Sequence, residues 1–294
     1  MTFTQLEILS KVAESRGFTA AAFRLGISQS AVSHAIKALE DELGVALVSR
    51  SRNSIELTDI GQIMLKRART LLGIAETMRQ EAGDARGLKS GTVRVGSFGP
   101  TASMRILPCL LKAFQKDYPG IEIHIEEGTD SQVLQWLTER RIDIGFAVLP
   151  DNRFDTCMLA EDQLVALLPA THRLAKEKAI SLHQLADDPF ILTGAGSAEL
   201  VMRQFVQAGI VPRIRYRGFQ LLSILETVSR GAGVSIVAEL SLPPEKEPGY
   251  VWRPLDPPVP RSIGLATLGE LNISPAANAF LRLSRRIFKT PLSP

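Results

Sequence analysis

The spacing of hydrophobic positions changes along this chain, and each change marks an element. From Ser28 onward Val32, Ile36, Leu39 and Leu43 recur at helical spacing and make one apolar stripe. Gln29, Ser33 and Lys37 stand four apart on another face, as do Ser30 and His34. Ser28 can accept a backbone N–H as an N-cap, and Thr19 can do the same for the segment before it. That segment carries Ala20, Ala21 and Ala22, small enough to let another helix approach, and ends at Leu25-Gly26. The pattern predicts two short helices joined by a tight turn, which is the form of a helix-turn-helix. It equally fits two helices of an ordinary all-α domain with polar residues turned to solvent. After Glu42-Leu43-Gly44, Val45–Val48 and Ser54–Leu57 read as short strands around the polar tip Ser49-Arg50-Ser51-Arg52-Asn53. A basic hairpin directly after such a helix is placed to act as a wing on phosphate or in a minor groove.

The period then lengthens. From Thr58 to about Asp84 there is no proline, and Leu57, Ile60, Met64, Leu71, Ile74 and Met78 follow steps of three and four, with Arg67 in one slot. Ile63, Ala68, Leu72 and Ala75 form a second stripe beside the first. Two stripes give this helix more apolar surface than its own neighbourhood can hide, so a second copy of the helix is the expected cover. Gly83, Gly87 and Gly91 then punctuate a hinge.

From Thr92 strands and helices alternate, as in an α/β domain. Val93–Gly96, Ile121–Glu126 and Ile142–Val148 read as strands, with helices carrying Leu107, Leu110 and Phe114, then Val133 and Leu137. Leu164–Leu168 begins a second unit containing strand Phe190–Leu192, helices Ala198–Gln207 and Leu221–Arg230, and strand Val234–Val237. A late strand, Gly264–Leu268, and helix Ala276–Phe288 return to the first unit.

Two of the strand-to-helix loops are rich in hydroxyls. Ser97-Phe98-Gly99-Pro100-Thr101 ends the first strand, and Thr193-Gly194-Ala195-Gly196-Ser197 ends its counterpart in the second unit. Each sets Ser or Thr and exposed N–H groups at a helix start, where partial positive charge favours anions. Ligands of open α/β sheets bind outside the carboxyl ends of strands, so two such ends facing one another suit a small carboxylate. Simple capping is the other fate of these hydroxyls. Thr129, Ala147-Val148 and Gln220 are further candidates at later strand ends.

Composition narrows the functional classes. The 294 residues suffice for two or three domains, and no apolar run approaches the ~20 residues of a membrane span. The start, MTFTQLEILSKVAES, lacks the form of a secretory signal, so a cytoplasmic protein is expected. A net charge of +3 argues only weakly for nucleic acid, so DNA binding here depends on where Lys37, Arg50 and Arg52 stand. Cys109 and Cys157 make no disulfide framework and no metal-ligand spacing. Cys109, inside Ile106-Leu107-Pro108-Cys109-Leu110-Leu111, is expected in the core. Gly194-Ala195-Gly196 and Gly231-Ala232-Gly233 begin like dinucleotide loops, but Glu199 and Ile236 occupy the third glycine slot. His34, His124, His172 and His183 have no motif partner. No catalytic residue, metal site or cofactor is assigned.

Residues 4–64 closely resemble the N-terminal domain of LysR-type transcriptional regulators. The matching residues are Leu6, Phe18-Thr19-Ala20-Ala21, Leu25, Ser28-Gln29-Ser30-Ala31-Val32-Ser33, Ile36, Leu39-Glu40, Leu43-Gly44, Leu47, Arg50, Leu57-Thr58 and Gly61. Further on, Leu107-Pro108, Phe114, Tyr118-Pro119, Arg141–Gly145 and Val228–Gly233 resemble that family's effector-binding domain. The resemblance implies an all-α winged helix-turn-helix with a long linker helix, followed by an α/β effector domain of two subdomains like type 2 periplasmic binding proteins. In those terms residues 1–58 bind DNA, 59–89 are linker and hinge, and 90–294 bind effector. Subdomain I takes about 90–161 and 264–294, subdomain II about 162–263.

It also implies promoter DNA as partner, an antiparallel pairing of linker helices, and a homotetramer. Gln29 and Ser30 are expected at base edges, Ser33, His34 and Lys37 at phosphate or adjacent bases, and Arg50 and Arg52 in the wing. The effector, a small anion, is expected at Ser97, Phe98, Thr101, Thr129, Ala147, Val148, Thr193, Ser197 and Gln220. Two other functions fit parts of the chain: an architectural DNA-binding protein whose α/β part has no ligand, and an enzyme carrying a DNA-binding module. The second needs a catalytic constellation that the sequence does not offer.

Overall fold

A computed structural model of the chain describes residues 1–50, 55–84, 90–194, 197–243, 249–269 and 273–293. It separates into two compact units, one formed by residues 1–85 with 138–141 and the other by 86–137 with 142–294.

The N-terminal unit is built on α1 (Phe3–Ser15), α2 (Phe18–Leu25) and α3 (Gln29–Leu43). Thr2 and Gln5 form a reciprocal capping box at the start of α1. Gly26 and Gly44, at φ 66° and 69°, close α2 and α3 in the left-handed region that glycine enters without steric cost. Val32, Ile36 and Leu39 of α3 are fully buried against Leu9, Val12 and Ala21. Leu43, expected on the same stripe, is exposed where the helix ends. Two strands follow, β1 (Val48–Arg50) and β2 (Ile55–Leu57), paired antiparallel. Ser49 and Arg50 thus belong to a strand and not to the hairpin tip, and Arg52 lies outside the described residues.

The hairpin is tied to the recognition-type helix by a carboxylate. Glu40 accepts from the N–H groups of Leu47 (2.7 Å) and Val48 (3.0 Å). The long helix α4 (Asp59–Asp84) then starts against Leu47, where Gly61 is required: a Cβ there would stand 2.0 Å from the Leu47 carbonyl oxygen. α4 sends Leu65 and Ala68 into the N-terminal core, while Ile60, Ile63, Leu71, Ile74 and Met78 remain exposed. The hinge proposed over Gly83–Gly91 falls mostly outside the described residues.

The second unit contains β3 (Gly91–Phe98), α5 (Leu107–Asp117), β4 (Ile121–Gly128), α6 (Asp130–Thr138), β5 (Ile144–Leu149) and β6 (Asp155–Pro169). It continues with β7 (Pro189–Thr193), α7 (Ala198–Gln207), β8 (Arg213–Gly218), α8 (Leu221–Ser229), β9 (Val234–Ala238), β10 (Tyr250–Thr267) and α9 (Pro275–Ile287). The strands form one sheet in the order β4-β3-β5-β10-β6-β9-β7-β8. β3 is parallel to β4 and β5, and β7 to β8 and β9, giving two parallel triplets.

The antiparallel pair β6 and β10 joins the triplets, and here the structure differs from expectation. Leu164–Leu168 and Gly264–Leu268 are not separate short strands but the ends of these two long ones. Leu159, Ala160, Ile263 and Leu265 lie in the core of the first half, with α5 and α9. Leu164, Ala166 and Leu168 pack with Phe205 of α7 in the second half, while Val165 and Leu167 turn to the opposite face against α8. Between the two cores the paired strands turn polar, with Asp162 and Gln163 opposite Arg261 and Pro260. Backbone pairing continues through that short stretch, which is why the polar break does not end the strands.

Cys109 departs from its expected place. α5 buries Leu107, Leu110 and Phe114, and Cys109 falls on the other side of the helix, exposed to solvent. An apolar run on an amphipathic helix still has an outward face.

Candidate functional site

On the N-terminal unit, the face of α3 opposite its buried stripe is formed by the polar residues singled out above. Ser28 caps the helix, its Oγ accepting from Ala31 N–H at 3.1 Å and standing 2.9 Å from Ser30 Oγ. Gln29, Ser30, His34 and Lys37 are exposed, and Ser33 is half-buried. These side chains stand at the N-terminal end and along one side of a helix held by a buried core. Such a placement can hydrogen-bond base edges and phosphates in a major groove.

In the second unit the two hydroxyl-rich loops meet at an arginine that the sequence reading did not single out. β3 runs into Gly99, and a π-helical turn, Thr101–Ile106, precedes α5. Single π turns recur at functional sites. β7 ends at Thr193, and Ser197 precedes α7 without making a capping bond of its own. The Arg261 guanidinium lies between the two helix starts. Its Nη1 donates to Ser197 Oγ at 2.8 Å and its Nη2 to Thr101 Oγ1 at 2.9 Å. Nη2 also donates to Asp162 Oδ2 at 2.5 Å, across the β6–β10 pairing.

This constellation is buried: the side chains of Arg261 and Asp162 are 2% and 0% exposed. The other Asp162 oxygen accepts from the N–H groups of Gln163 (2.8 Å) and Leu240 (3.0 Å). Burial pushes the Arg261 guanidinium below its usual range, and the carboxylates of Asp162 and Asp130 push back. Asp130, at the start of α6, is raised above the ordinary carboxylate value, first by burial and then by Glu199, against the pull of its own N–H and of Arg261. Asp130, Glu199, Asp162 and Arg261 therefore form one electrostatic neighbourhood. Arg105, in the π-helical turn, adds a second tie by donating to the carbonyls of Leu240 (3.2 Å) and Leu242 (3.0 Å).

The other expected ligand residues scatter. Ser97 is fully buried, its Oγ 2.9 Å from Ser103 Oγ, and Thr193 is buried at the end of β7. Phe98 and Ala147 point into the first-half core, and Val148 packs against its edge. Thr129 caps α6, its Oγ1 accepting from Gln132 N–H at 3.2 Å. Gln220 is exposed at the start of α8. Beside it the ring of Phe219, 69% exposed, lies against Gly194, where a Cβ would stand 2.5 Å from the ring. Among the described residues no cluster of His, Cys, Asp and Glu could hold a metal ion, and no helix is long and apolar enough to cross a membrane.

Known proteins share both units. Residues 3–62 match the family model described as a bacterial regulatory helix-turn-helix protein of the lysR family, and residues 86–289 match the LysR substrate binding domain. An uncharacterized HTH-type transcriptional regulator of Bacillus subtilis, YvbU, is 35% identical over 290 residues, covering 98% of this chain and 99% of its own. Among solved structures, full-length CbnR complexed with its target DNA is 27% identical with a TM-score of 0.63, covering 97% of this chain and 99% of that one. A full-length OxyR variant from Pseudomonas aeruginosa, 24% identical with a TM-score of 0.74, shares the fold over 97% of this chain and 95% of its own.

Proposed function

The chain belongs to the LysR family of transcriptional regulators, and we propose that it binds promoter DNA through α3 and is modulated by a small anion held where the two halves of its substrate-binding domain meet. One observation carries the ligand half of this reading. Thr101 and Ser197, from loops at the carboxyl ends of two parallel strands in different halves, are gathered by the buried Arg261. A ligand seated among them contacts both halves at once and gains from their closure. It can shift the protein only through its differential affinity for the two arrangements.

For the DNA half, Gln29 and Ser30 read bases, Ser33, His34 and Lys37 contact phosphate or neighbouring bases, and Arg50 and Arg52 act from the wing. The exposed residues Ile60, Ile63, Leu71, Ile74 and Met78 of α4 support a helix-paired dimer. Two dimers form the tetramer that acts on DNA in the cytoplasm.

The test is thermal shift of the full-length protein against a panel of carboxylates and other small anions. A ligand that binds the native state raises the melting temperature by mass action. The expected result is a saturable rise that is lost in Thr101→Val and Ser197→Ala. Silence across the panel, with the protein well folded, leaves the architectural reading, a DNA-binding protein whose α/β part has no small-molecule ligand.

A further inference from the structure

The arginine at the centre of the site is not a bare positive charge. Arg261 and Asp162 are direct partners across β10 and β6, and the Asp162 carboxylate is fixed by two backbone N–H groups besides the guanidinium. A carboxylate pinned from three directions does not move aside for a ligand, so the unit charge of Arg261 is already matched within the protein. A guanidinium has donors and no acceptor, so the hydroxyls of Thr101 and Ser197 must accept from it. What the site offers an incoming oxygen is therefore a set of dipoles: hydroxyl groups and the N–H groups at two helix starts. Such dipoles suit one negative charge.

A second negative charge meets further carboxylates. Beyond the matched pair stand Asp130, at the start of α6 and close enough to act on Arg261, and Glu199, in the first turn of α7 and close enough to act on Asp130.

Resting on the anionic-effector reading above, we propose that this site selects a ligand bearing a single carboxylate and excludes dianions, with Asp162 as the residue that sets the selectivity. Asp162 masks Arg261; without it the same guanidinium becomes a receptor for phosphate, sulfate or dicarboxylates.

The experiment uses full-length protein and named probes: acetate and benzoate as single carboxylates, succinate and inorganic phosphate as dianions, with melting temperature as readout at constant ionic strength. Wild type is expected to respond to a single-carboxylate probe, with dianions at least about tenfold weaker. Asp162→Asn, nearly isosteric, is expected to become responsive to phosphate and succinate, and Asp162→Asn with Arg261→Gln to lose that response. Should Asp162→Asn fail to fold, Asp130→Asn with Glu199→Gln removes the outer repulsion, leaves the central pair intact and is expected to admit succinate. A phosphate response confined to Asp162→Asn upholds the masking of Arg261 even when neither single carboxylate is the effector. Wild type binding phosphate or succinate as well as acetate or benzoate overturns the selectivity while leaving the anionic reading in place. No anion response in wild type or in any folded variant overturns both.

Discussion

Arg261 is a buried charge in the proposed ligand site, and its burial makes it expensive to disturb. Removing one member of a buried pair strands the other, at a cost of about 3–5 kcal/mol, whereas replacing both with apolar residues is often close to neutral. Arg261→Met is therefore expected to lose about that much stability in urea denaturation, and Arg261→Met with Asp162→Leu to recover most of it. Equal losses in the single and double variants contradict this. Asp130 gives a prediction of opposite sign. Its carboxyl is held above the ordinary value by burial, so the folded state favours the protonated form. The stability this contributes is present below the ordinary carboxylate range and lost as pH rises through the raised value. Asp130→Asn should then melt higher than wild type at neutral pH, with the gap closing toward about pH 4. Little of this was legible in sequence. Thr101 and Ser197 stand out in the sequence because hydroxyls at strand-to-helix joints are a local signal. Arg261 meets them only through the register of two strands about a hundred residues apart. The polar Glu161-Asp162-Gln163 inside an apolar run was the one visible hint. Phe98 and Ala147 were chosen by their neighbours in sequence, but strand alternation turns both into the core.

At the scale of elements, α3 was readable because it buries one stripe and exposes another, and both faces keep the helical period. Its hydroxyl cap contributes too: Ser28→Ala is expected to cost about 1 kcal/mol of stability in the N-terminal unit. Gln29→Ala is expected to relax base preference and cost about 1–3 kcal/mol on the preferred site. Arg50→Ala should instead weaken all sequences alike and flatten the salt dependence. Competition binding with base-substituted fragments separates the two, and an unchanged preference in Gln29→Ala removes α3 from the major groove. Gly61→Ala should disrupt the joint of hairpin and α4, since the Leu47 carbonyl cannot withdraw without breaking the hairpin's attachment. β6 and β10 were harder to read. Each passes through two cores, so its apolar stretches look like separate strands, and β10 carries Pro254, Pro257, Pro258 and Pro260. The register shift between Pro254 and Val259 accommodates prolines that a regular ladder excludes.

The whole molecule combines a helix proposed to contact DNA, a helix with an apolar face that its own unit leaves open, and a proposed ligand site between two halves of one domain. Ile63→Glu with Ile74→Glu is expected to shift the protein to smaller species in sedimentation and to weaken DNA binding with it, because paired half-sites need paired heads. An unchanged assembly would place the dimer contact elsewhere. The central claim is that occupancy of the Thr101–Ser197–Arg261 junction changes how α3 engages DNA. Its most direct test is equilibrium binding of the full-length protein to a promoter fragment selected by the protein itself, with and without a carboxylate that raises its melting temperature. In wild type, the ligand should change the affinity by about 5- to 150-fold or alter the footprint, and in Ser197→Ala it should do neither. A ligand that stabilises wild type yet leaves both affinity and footprint unchanged would contradict the account.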